Sequence, residues 1–465
     1  MAKSEKSENK KESPTALKGM RDIIGDEHHK YQGFFEKAAE VALYYGFQPI
    51  ETPVLEREEV FVSTQSEDTD LVGKEMYTLK TRGGDRLALR PEGTAPVMRA
   101  YLEHGMQTQS QPVKLYYYGS LFRHENPQRG RYREYKTFGI EMIGSAKSVG
   151  DATTIYLMAM ILKEVGLDNI LIEVNSIGDK ESRVPYIREL TAYYRKHINH
   201  MCADCKQRIK TNPLRLLDCK KPECQPFKEK APQSIAHLSP AAKLHFKEVL
   251  EYLDALGLNY RINTNLVRGL DYYTHTVFEI TEVPDEKAPE VFAEHTTQLE
   301  ATDDEKAAKK IKNDKEEAAN APLSLAGGGR YDYLAKRLGS KKDIPGVGAG
   351  IGVDRVLLSP NYKAVTPRIV KKPKVYFIQF GFEAKLKALE IIEILRNARI
   401  PVTHSLNKDS LSAQLAIAEK LQIPHAIIFG QKEALDGTVI IRDMVTRSQD
   451  TVKVAKLADF IKGMK

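Results

Sequence analysis

The chain has 465 residues, a formal net charge of +7, 42% hydrophobic residues and 29% charged residues. This composition is typical of a globular protein, and the length predicts about three domains. The apolar run at residues 155–162 is far shorter than the ~18 residues of a membrane span, and the charged N-terminus lacks the apolar core of a secretory signal. We therefore expect a cytoplasmic protein with no membrane segment. The modest net charge permits nucleic-acid binding without requiring it.

The first part of the chain predicts a tail followed by helices and strands. Residues 1–14 contain almost nothing apolar, so we expect them to be disordered. Apolar residues at helical spacing predict helices, two-residue alternation predicts strands, and Gly83-Gly84 predicts a hairpin turn. The expected elements are a helix at 26–45, a hairpin at 76–90, strands at 115–122 and 132–143, and a helix at 151–165.

The middle of the chain predicts a helix-rich block at 180–262, which contains all four cysteines, and a strand at 274–282. Residues 285–320 are rich in Lys, Glu and Asp and carry few large apolar side chains. We expect a solvated, partly helical insertion there, whose charges keep it in water and bind no partner.

From about residue 373 strands and helices alternate, which predicts a small mixed α/β domain with right-handed crossovers. The basic, proline-flanked segment TPRIVKKP (366–373) predicts a linker before it. The expected domains are 15–179 and 263–365 as two parts of one core, 180–262 as a helical insertion, and 373–465 as the small α/β domain.

The segment 122–144 predicts a strand with two different faces. In a strand, alternate side chains point to opposite sides. Phe138, Ile140 and Met142 form an apolar side that suits packing on helices. The opposite side is polar and contains small residues, as the floor of a binding site would: Arg131, Arg133, Tyr135, Thr137, Gly139 and Glu141.

The preceding strand carries Arg123 and Glu125 with the same parity. An arginine that can fork onto a phosphate, beside an acceptor carboxylate, suits a nucleotide. The alternative is a solvated face with surface ion pairs. Upstream, LALRPEGTA (87–95) places Glu92 and Thr94 where they could bracket a small cationic group such as an amine.

Three further segments contain charged residues and glycines close together, and two of them also contain aromatic residues. LVRGLDYYTHTVFEI (266–280) offers Arg268 for a phosphate or carboxylate, and Tyr272 and Tyr273 as flat walls, although a packed aromatic pair is the alternative. AGGGRYDYL (326–334) and GVGAGIGVDRV (346–356) permit close backbone approach to a ligand. Neither is a Walker A loop or a dinucleotide-binding turn.

Together these segments resemble the histidyl-tRNA synthetases among the class II aminoacyl-tRNA synthetases. GFQPIETPVLE (46–56) is similar to motif 1, residues 122–141 to motif 2, and GAGIGVDR (348–355) to motif 3. LVRGLDYY and GGRYD resemble the two signatures of the histidine enzyme. The resemblance implies an α/β fold: an α+β core with an antiparallel sheet flanked by helices, a helical insertion and a small α/β anticodon-binding domain.

The resemblance also implies a homodimer that ligates L-histidine to tRNA(His) through a histidyl-adenylate, with ATP as substrate and Mg²⁺. Arg123 and Arg268 are the implied catalytic residues. The implied histidine-binding residues are Glu92, Gly93, Thr94, Arg123, Thr137, Glu141, Arg268, Tyr272, Tyr273 and Tyr331. The implied ATP-binding residues are Arg123, Glu125, Arg131 and Arg355, and Gln128 and Arg129 are expected to contact the tRNA acceptor end.

Position 137 departs from the family pattern, which usually has Gln where this chain has the shorter Thr137. A water or a different contact with the amino acid must therefore fill that space. The alternative function is a synthetase-like regulatory paralogue of histidine biosynthesis that does not aminoacylate. Such paralogues usually lack the C-terminal domain and have degraded signatures, and here both are present.

All four cysteines of the chain, Cys202, Cys205, Cys219 and Cys224, lie in one short segment. Two close pairs separated by 13 residues fit a closed tetrahedral zinc site, in which His197 or His200 could replace one sulfur. We expect such a zinc ion to be structural, so that adenylate still forms without it. Nearby lysines predict easily deprotonated thiols. The alternative is four reduced thiols, some of them buried as small apolar groups.

Overall fold

The computed structural model describes residues 14–65, 69, 71–283, 324–368, 371, 373–406 and 408–464. The expected disordered tail, apart from Pro14, and the expected insertion at 285–320 lie outside these residues. The chain divides into two compact units, Met1–Pro367 and Arg368–Lys465. Among the described helices, none combines the length and the apolar character needed to cross a membrane.

The first unit contains the predicted helices and strands within a few residues of their expected ends. Its described helices are α1 (Asp26–Tyr44), α2 (Glu59–Val62), α3 (Thr94–Glu103), α4 (Ser148–Glu164), α5 (Lys180–Lys196), α6 (Ala203–Thr211), α7 (Gln225–Glu229), α8 (Pro240–Ala255), α9 (Leu334–Arg337) and α10 (Val353–Leu357). Its described strands are β1 (Gln48–Pro49), β2 (Leu55–Arg57), β3 (Thr78–Lys80), β4 (Arg86–Leu89), β5 (Val113–Phe122), β6 (Glu134–Ile143), β7 (Ile170–Ser176), β8 (Tyr260–Ile262), β9 (Thr274–Glu282), β10 (Ser324–Arg330) and β11 (Gly346–Gly352).

One large sheet forms the centre of this unit, with strand order β1-β5-β6-β11-β10-β9-β7-β8. Its neighbours pair antiparallel except at the two edges, where β1 lies parallel to β5 and β8 parallel to β7. The predicted hairpin is β3–β4, which joins β2 in a separate small sheet. The antiparallel core that the resemblance implied is therefore confirmed.

The two faces of the large sheet are set by the alternation predicted for β6. Phe138 and Ile140 are fully buried in the main hydrophobic core, where Phe34 of α1 and Ile155 of α4 also lie. Burying such side chains stabilises the fold by about 1.5–3 kcal/mol each. The polar residues of β6 consequently face the other side of the sheet, which is free of these helices.

The cysteine-containing block contributes its last part to the core. The helix α8 packs beside α4, and β8 extends the large sheet. Asp179 and Ser239 cap the first turns of α5 and α8, and the Ser239 hydroxyl donates to the Asp179 carboxylate over 2.7 Å. This bond ties the beginnings of the two helices together.

The second unit has the strand–helix alternation expected of a small α/β domain. Its strands are β12 (Val375–Gln379), β13 (Val402–His404), β14 (His425–Phe429), β15 (Thr438–Asp443) and β16 (Gln449–Lys453), and its described helices are α11 (Phe382–Asn397), α12 (Leu411–Lys420), α13 (Gln431–Asp436) and α14 (Leu457–Gly463). The strand order is β13-β12-β14-β15-β16, with β12 parallel to both of its neighbours.

Candidate active site

Glu141 lies at the centre of the polar face of the large sheet and is fully buried. Three hydroxyls converge on its carboxylate: Thr94 donates to Oε1 over 2.8 Å, Tyr117 to Oε1 over 3.3 Å, and Tyr331 to Oε2 over 2.5 Å. Burial nevertheless raises the pKa of Glu141 to about 8. A buried carboxyl with several neighbouring polar groups is suited to bind a small polar ring.

Glu92 precedes α3, and its carboxylate accepts from the backbone N–H groups of Thr94 and Ala95 over 2.6 and 3.0 Å. The hydroxyl of Tyr272 donates to the same carboxylate over 3.2 Å. Burial raises the pKa of Glu92, although these backbone donors act in the opposite direction. The structure thus brings Glu92, Thr94 and Glu141 together in one hydrogen-bonded group.

Tyrosine rings enclose this group. Tyr272 packs against Tyr273 with ring centroids 5.0 Å apart and against Tyr331 at 6.1 Å. Tyr117 of β5 completes the group, although none of the sequence motifs contains it. The only indication in the sequence is its place in the run Tyr116–Tyr118. In a strand, the alternation of side chains puts Tyr117 on the opposite face of the sheet from Tyr116 and Tyr118.

A second group carries the arginines of motif 2. Arg123 donates from Nε to the carbonyl of Pro91 over 2.9 Å, and Tyr135 donates its hydroxyl to the same carbonyl over 2.9 Å. Glu125 lies between two arginines, with its carboxylate 3.9 Å from Arg123 and 3.4 Å from Arg131. Pro91 therefore links this group to the adjacent Glu92.

Arg355 closes the second group from α10. It donates to the carbonyls of Gly130 over 3.1 Å and Ser324 over 2.7 Å. Burial lowers the pKa of Arg355, and the neighbouring Arg131 lowers it further. Two crowded guanidinium groups of this kind favour an anionic ligand between them.

Arg268 reaches the same face from the loop before β9. Its Nη1 lies 3.6 Å from Oε1 of Glu279, and its guanidinium covers Gly327, where an added Cβ would lie 2.5 Å from Nη1. The buried Nε of Arg268 has no hydrogen-bond partner among the described residues. A donor left in this state fits a ligand oxygen.

The remaining predicted residues are Thr137, Gly93, Gln128 and Arg129. Thr137 is buried in β6, with its methyl group 3.2 Å from the place of a Cβ on Gly350. Gly93 lies against the ring of Tyr117, where a Cβ would approach to 2.3 Å. Gln128 and Arg129 are exposed in the loop between β5 and β6.

We expect Gly348→Ala to raise the KM for histidine, the substrate that the sequence motifs imply, about tenfold or more. The new Cβ would lie 1.7 Å from Oε2 of Glu141 and 2.7 Å from the carbonyl oxygen of Ile140, so it would displace that carboxylate. The matched control is Gly352→Ala on the same strand, where the Cβ meets its nearest neighbour at an ordinary 3.5 Å. Amino-acid-dependent ATP–pyrophosphate exchange measures the effect. An unchanged KM in Gly348→Ala would place the histidine elsewhere.

A buried ion pair behind the site was not identified from the sequence either. Arg330, fully buried, pairs with Asp151 of α4 and donates to the carbonyl of Ser145 over 2.7 Å. The pKa of Asp151 is about 2, because Arg330 and His245 outweigh the effect of burial. This pair joins β10 to α4.

The four cysteines form a cluster apart from these groups. Their Sγ atoms all lie within 4.8 Å of one another, and Cys205, Cys219 and Cys224 are buried. The prediction of easily deprotonated thiols is wrong for two of them, because burial raises the pKa of Cys205 and raises that of Cys224 to about 11. The exposed lysines nearby do not offset this burial.

Known proteins share both units of the chain. Residues 19–182 match the family described as histidyl-tRNA synthetase, and residues 374–464 match the anticodon binding domain. The chain is 38% identical to histidine–tRNA ligases of Dehalococcoides mccartyi and Caldicellulosiruptor saccharolyticus, over 96% of this chain and 98% and 99% of those proteins. The apo structure of S. aureus histidyl-tRNA synthetase matches with a TM-score of 0.74 at 27% identity, covering 97% of this chain and all of that one.

Proposed function

The chain belongs to the histidyl-tRNA synthetase family, and we propose that it joins L-histidine to tRNA(His) through a histidyl-adenylate made from ATP. The observation that carries the proposal is the pair of adjacent groups on one sheet face. Glu141 and its hydroxyl donors suit an imidazole, and the neighbouring arginines suit a triphosphate. Pro91 bridges the two, which is where an amino acid and ATP must meet.

In this assignment Glu141 accepts a hydrogen bond from an imidazole N–H, and Glu92 binds the α-amino group with Gly93 and Thr94. Tyr272, Tyr273 and Tyr331 enclose the ring. Thr137 lies on the floor, where its short hydroxyl leaves room for a water. A pocket that hydrogen-bonds its substrate can reject apolar analogues by about 10⁴–10⁵ without editing.

The same proposal places ATP among the arginines. Glu125 contacts the adenosine, Arg131 and Arg355 hold the outer phosphates, and Arg123 spans the histidine carboxylate and the α-phosphate. Glu279, whose Oε1 lies 3.6 Å from Nη1 of Arg268, offers a carboxylate oxygen for an Mg²⁺ ion bound with ATP. When bound, Mg²⁺ would neutralise part of the negative charge of the phosphates.

The histidine carboxylate then attacks the α-phosphorus, and pyrophosphate leaves. Arg123 and Arg268 orient the carboxylate and stabilise the charge that develops on the α-phosphate oxygens. No covalent enzyme intermediate is needed. The terminal ribose hydroxyl of the tRNA next attacks the adenylate carbonyl and releases AMP.

The partners follow from the same reaction. We propose that Gln128 and Arg129, exposed beside the arginine group, contact the acceptor end of tRNA(His), and that the second unit binds the anticodon. Motif 1 would supply a homodimer interface. We also propose that the four-cysteine cluster holds one structural zinc ion. The cytoplasmic location stays a prediction.

The alternative of a regulatory paralogue is disfavoured. Residues 374–464 match an anticodon binding domain, which such paralogues usually lack. ATP–pyrophosphate exchange with each of the amino acids tests the choice. We expect exchange with histidine alone, and a chain that binds histidine without exchange would support the paralogue.

Removal of the second unit, by ending the chain at Pro367, is expected to lower the rate of tRNA charging at least ~10-fold, because the chain loses its contacts to the anticodon stem. Exchange with histidine should change much less, since Glu141 and the arginines lie in the first unit. Both rates are measured on the same preparation. An equal loss of both would mean that the second unit supports the fold of the first.

A further inference from the structure

The four cysteine sulfurs are already arranged as a metal site requires. Zinc bound tetrahedrally at ~2.3 Å from each thiolate sets the sulfurs ~3.8 Å apart. The Sγ atoms of Cys202 and Cys219 are 3.9 Å apart, and no pair in the cluster exceeds 4.8 Å. Contraction of the sulfur–sulfur distances by at most about an ångström therefore completes the coordination shell.

Backbone donors also point at the sulfurs. The N–H of Cys205 donates to Sγ of Cys202, and the N–H of Cys202 donates to Sγ of Cys224, each over 3.4 Å. Such outer bonds orient metal-bound thiolates and offset their negative charge. Four sulfurs fill a tetrahedral site completely, so the ion would be structural and have no open position for a reaction.

The segment between the two cysteine pairs contacts the loop that carries Arg268. Asn212 donates to the carboxylate of Asp271, and Arg215 donates to the carbonyl of Gly269 over 3.0 Å. Val267 packs on the hydrophobic cluster that contains the buried cysteines and Leu217. Asn212 and Arg215 line one small cavity together with Arg268 and Tyr273.

We infer that a zinc ion bound by Cys202, Cys205, Cys219 and Cys224 positions Arg268, by fixing residues 206–218 against the loop 267–271. The zinc site stands on the cluster alone, whereas its effect on Arg268 rests on the proposed function. The ion is thus expected to influence histidine activation, a step that the sequence alone led us to expect to be independent of zinc.

The test compares three variants of the full chain with the wild type. Cys202→Ser/Cys205→Ser removes two ligands, Asn212→Ala breaks the contact to Asp271 while keeping all four cysteines, and Glu229→Ser/Lys230→Ser is a matched exposed control in the same block. Metal analysis by mass spectrometry gives the zinc and iron content of each. Exchange kinetics give kcat and KM for histidine and for ATP separately.

We expect about one zinc per chain in the wild type, the control and Asn212→Ala, and none in the double cysteine variant. The KM for histidine should rise about 10-fold or more in both Asn212→Ala and the cysteine variant, because a small displacement of a positioned group is costly. The KM for ATP should stay the same. A general loss of folded protein would instead lower the active fraction and leave both KM values unchanged.

Metal-free wild-type protein with four freely titrating thiols, or iron in place of zinc, would overturn the zinc site. If the cysteine variant loses zinc but keeps its exchange kinetics for histidine, the positioning of Arg268 is overturned and the proposed function stays intact. Wild-type protein that holds zinc but exchanges no pyrophosphate with histidine would overturn the proposed function, and with it the positioning of Arg268.

Discussion

Arg268→Ala and Arg123→Ala are each expected to lower histidine-dependent ATP–pyrophosphate exchange by about 10²–10³-fold, because each removes a positioned donor for charge that develops on the α-phosphate. Two observations support this expectation. The buried Nε of Arg268 has no hydrogen-bond partner among the described residues, and Arg123 donates from Nε to the carbonyl of Pro91. Thermal unfolding of each variant checks that the fold persists.

Arg129→Ala is the matched control, since Arg129 is an exposed arginine in the same loop region as Arg123. It should leave exchange unchanged and lower only the transfer to tRNA. Near-normal exchange in Arg123→Ala or Arg268→Ala would remove that residue from the adenylation step.

Above pH ~8, where the Glu141 carboxyl is ionised, Glu141→Gln is expected to lower kcat/KM for histidine by about 10²-fold, because a neutral amide replaces a charge-assisted hydrogen bond at a buried position. The substitution keeps the size of the side chain, so the hydroxyls of Thr94 and Tyr331 retain a partner. The KM for ATP should not change. An equal effect on both substrates would assign Glu141 to the fold and not to the imidazole.

The pH dependence follows from the pKa of Glu141, which burial raises to about 8 in the free chain. Below this pH the carboxyl is protonated and cannot accept fully from the imidazole N–H. The kcat/KM for histidine should therefore rise as pH increases towards about 8 and level off above it. Glu141→Gln has no titrating group there and should lose this rise. A variant that keeps the wild-type profile would assign the rise to histidine itself.

Local patterns in the sequence predicted the elements of the fold, because the periods of helix and strand depend on neighbouring residues alone. The alternation of Phe138 and Ile140 with Thr137 and Glu141 correctly assigned one face of β6 to the core. The motifs identified the family, and four cysteines in one segment indicated a cluster that the structure contains.

Only the tertiary structure decided which side chains meet. Tyr117 reaches Glu141 because β5 pairs with β6 in one register, and a shift by one residue would point it to the other face. The pairing of Arg330 with Asp151 joins residues 179 positions apart. The sequence around either residue cannot predict such a contact, because nothing in the neighbouring residues distinguishes Arg330 or Asp151 from an ordinary charged residue.

The cysteine-containing block also shows which properties the local sequence determines and which depend on tertiary packing. Its sequence determined that two close pairs of thiols could bind a metal, because ligand type and spacing are local properties. Its contact with the loop of Arg268, through Asn212 and Asp271, depends on how a separate segment packs against the core. The sequence therefore determined which functional side chains each segment carries. The packing of distant segments decided which of these side chains lie close enough to act in one site.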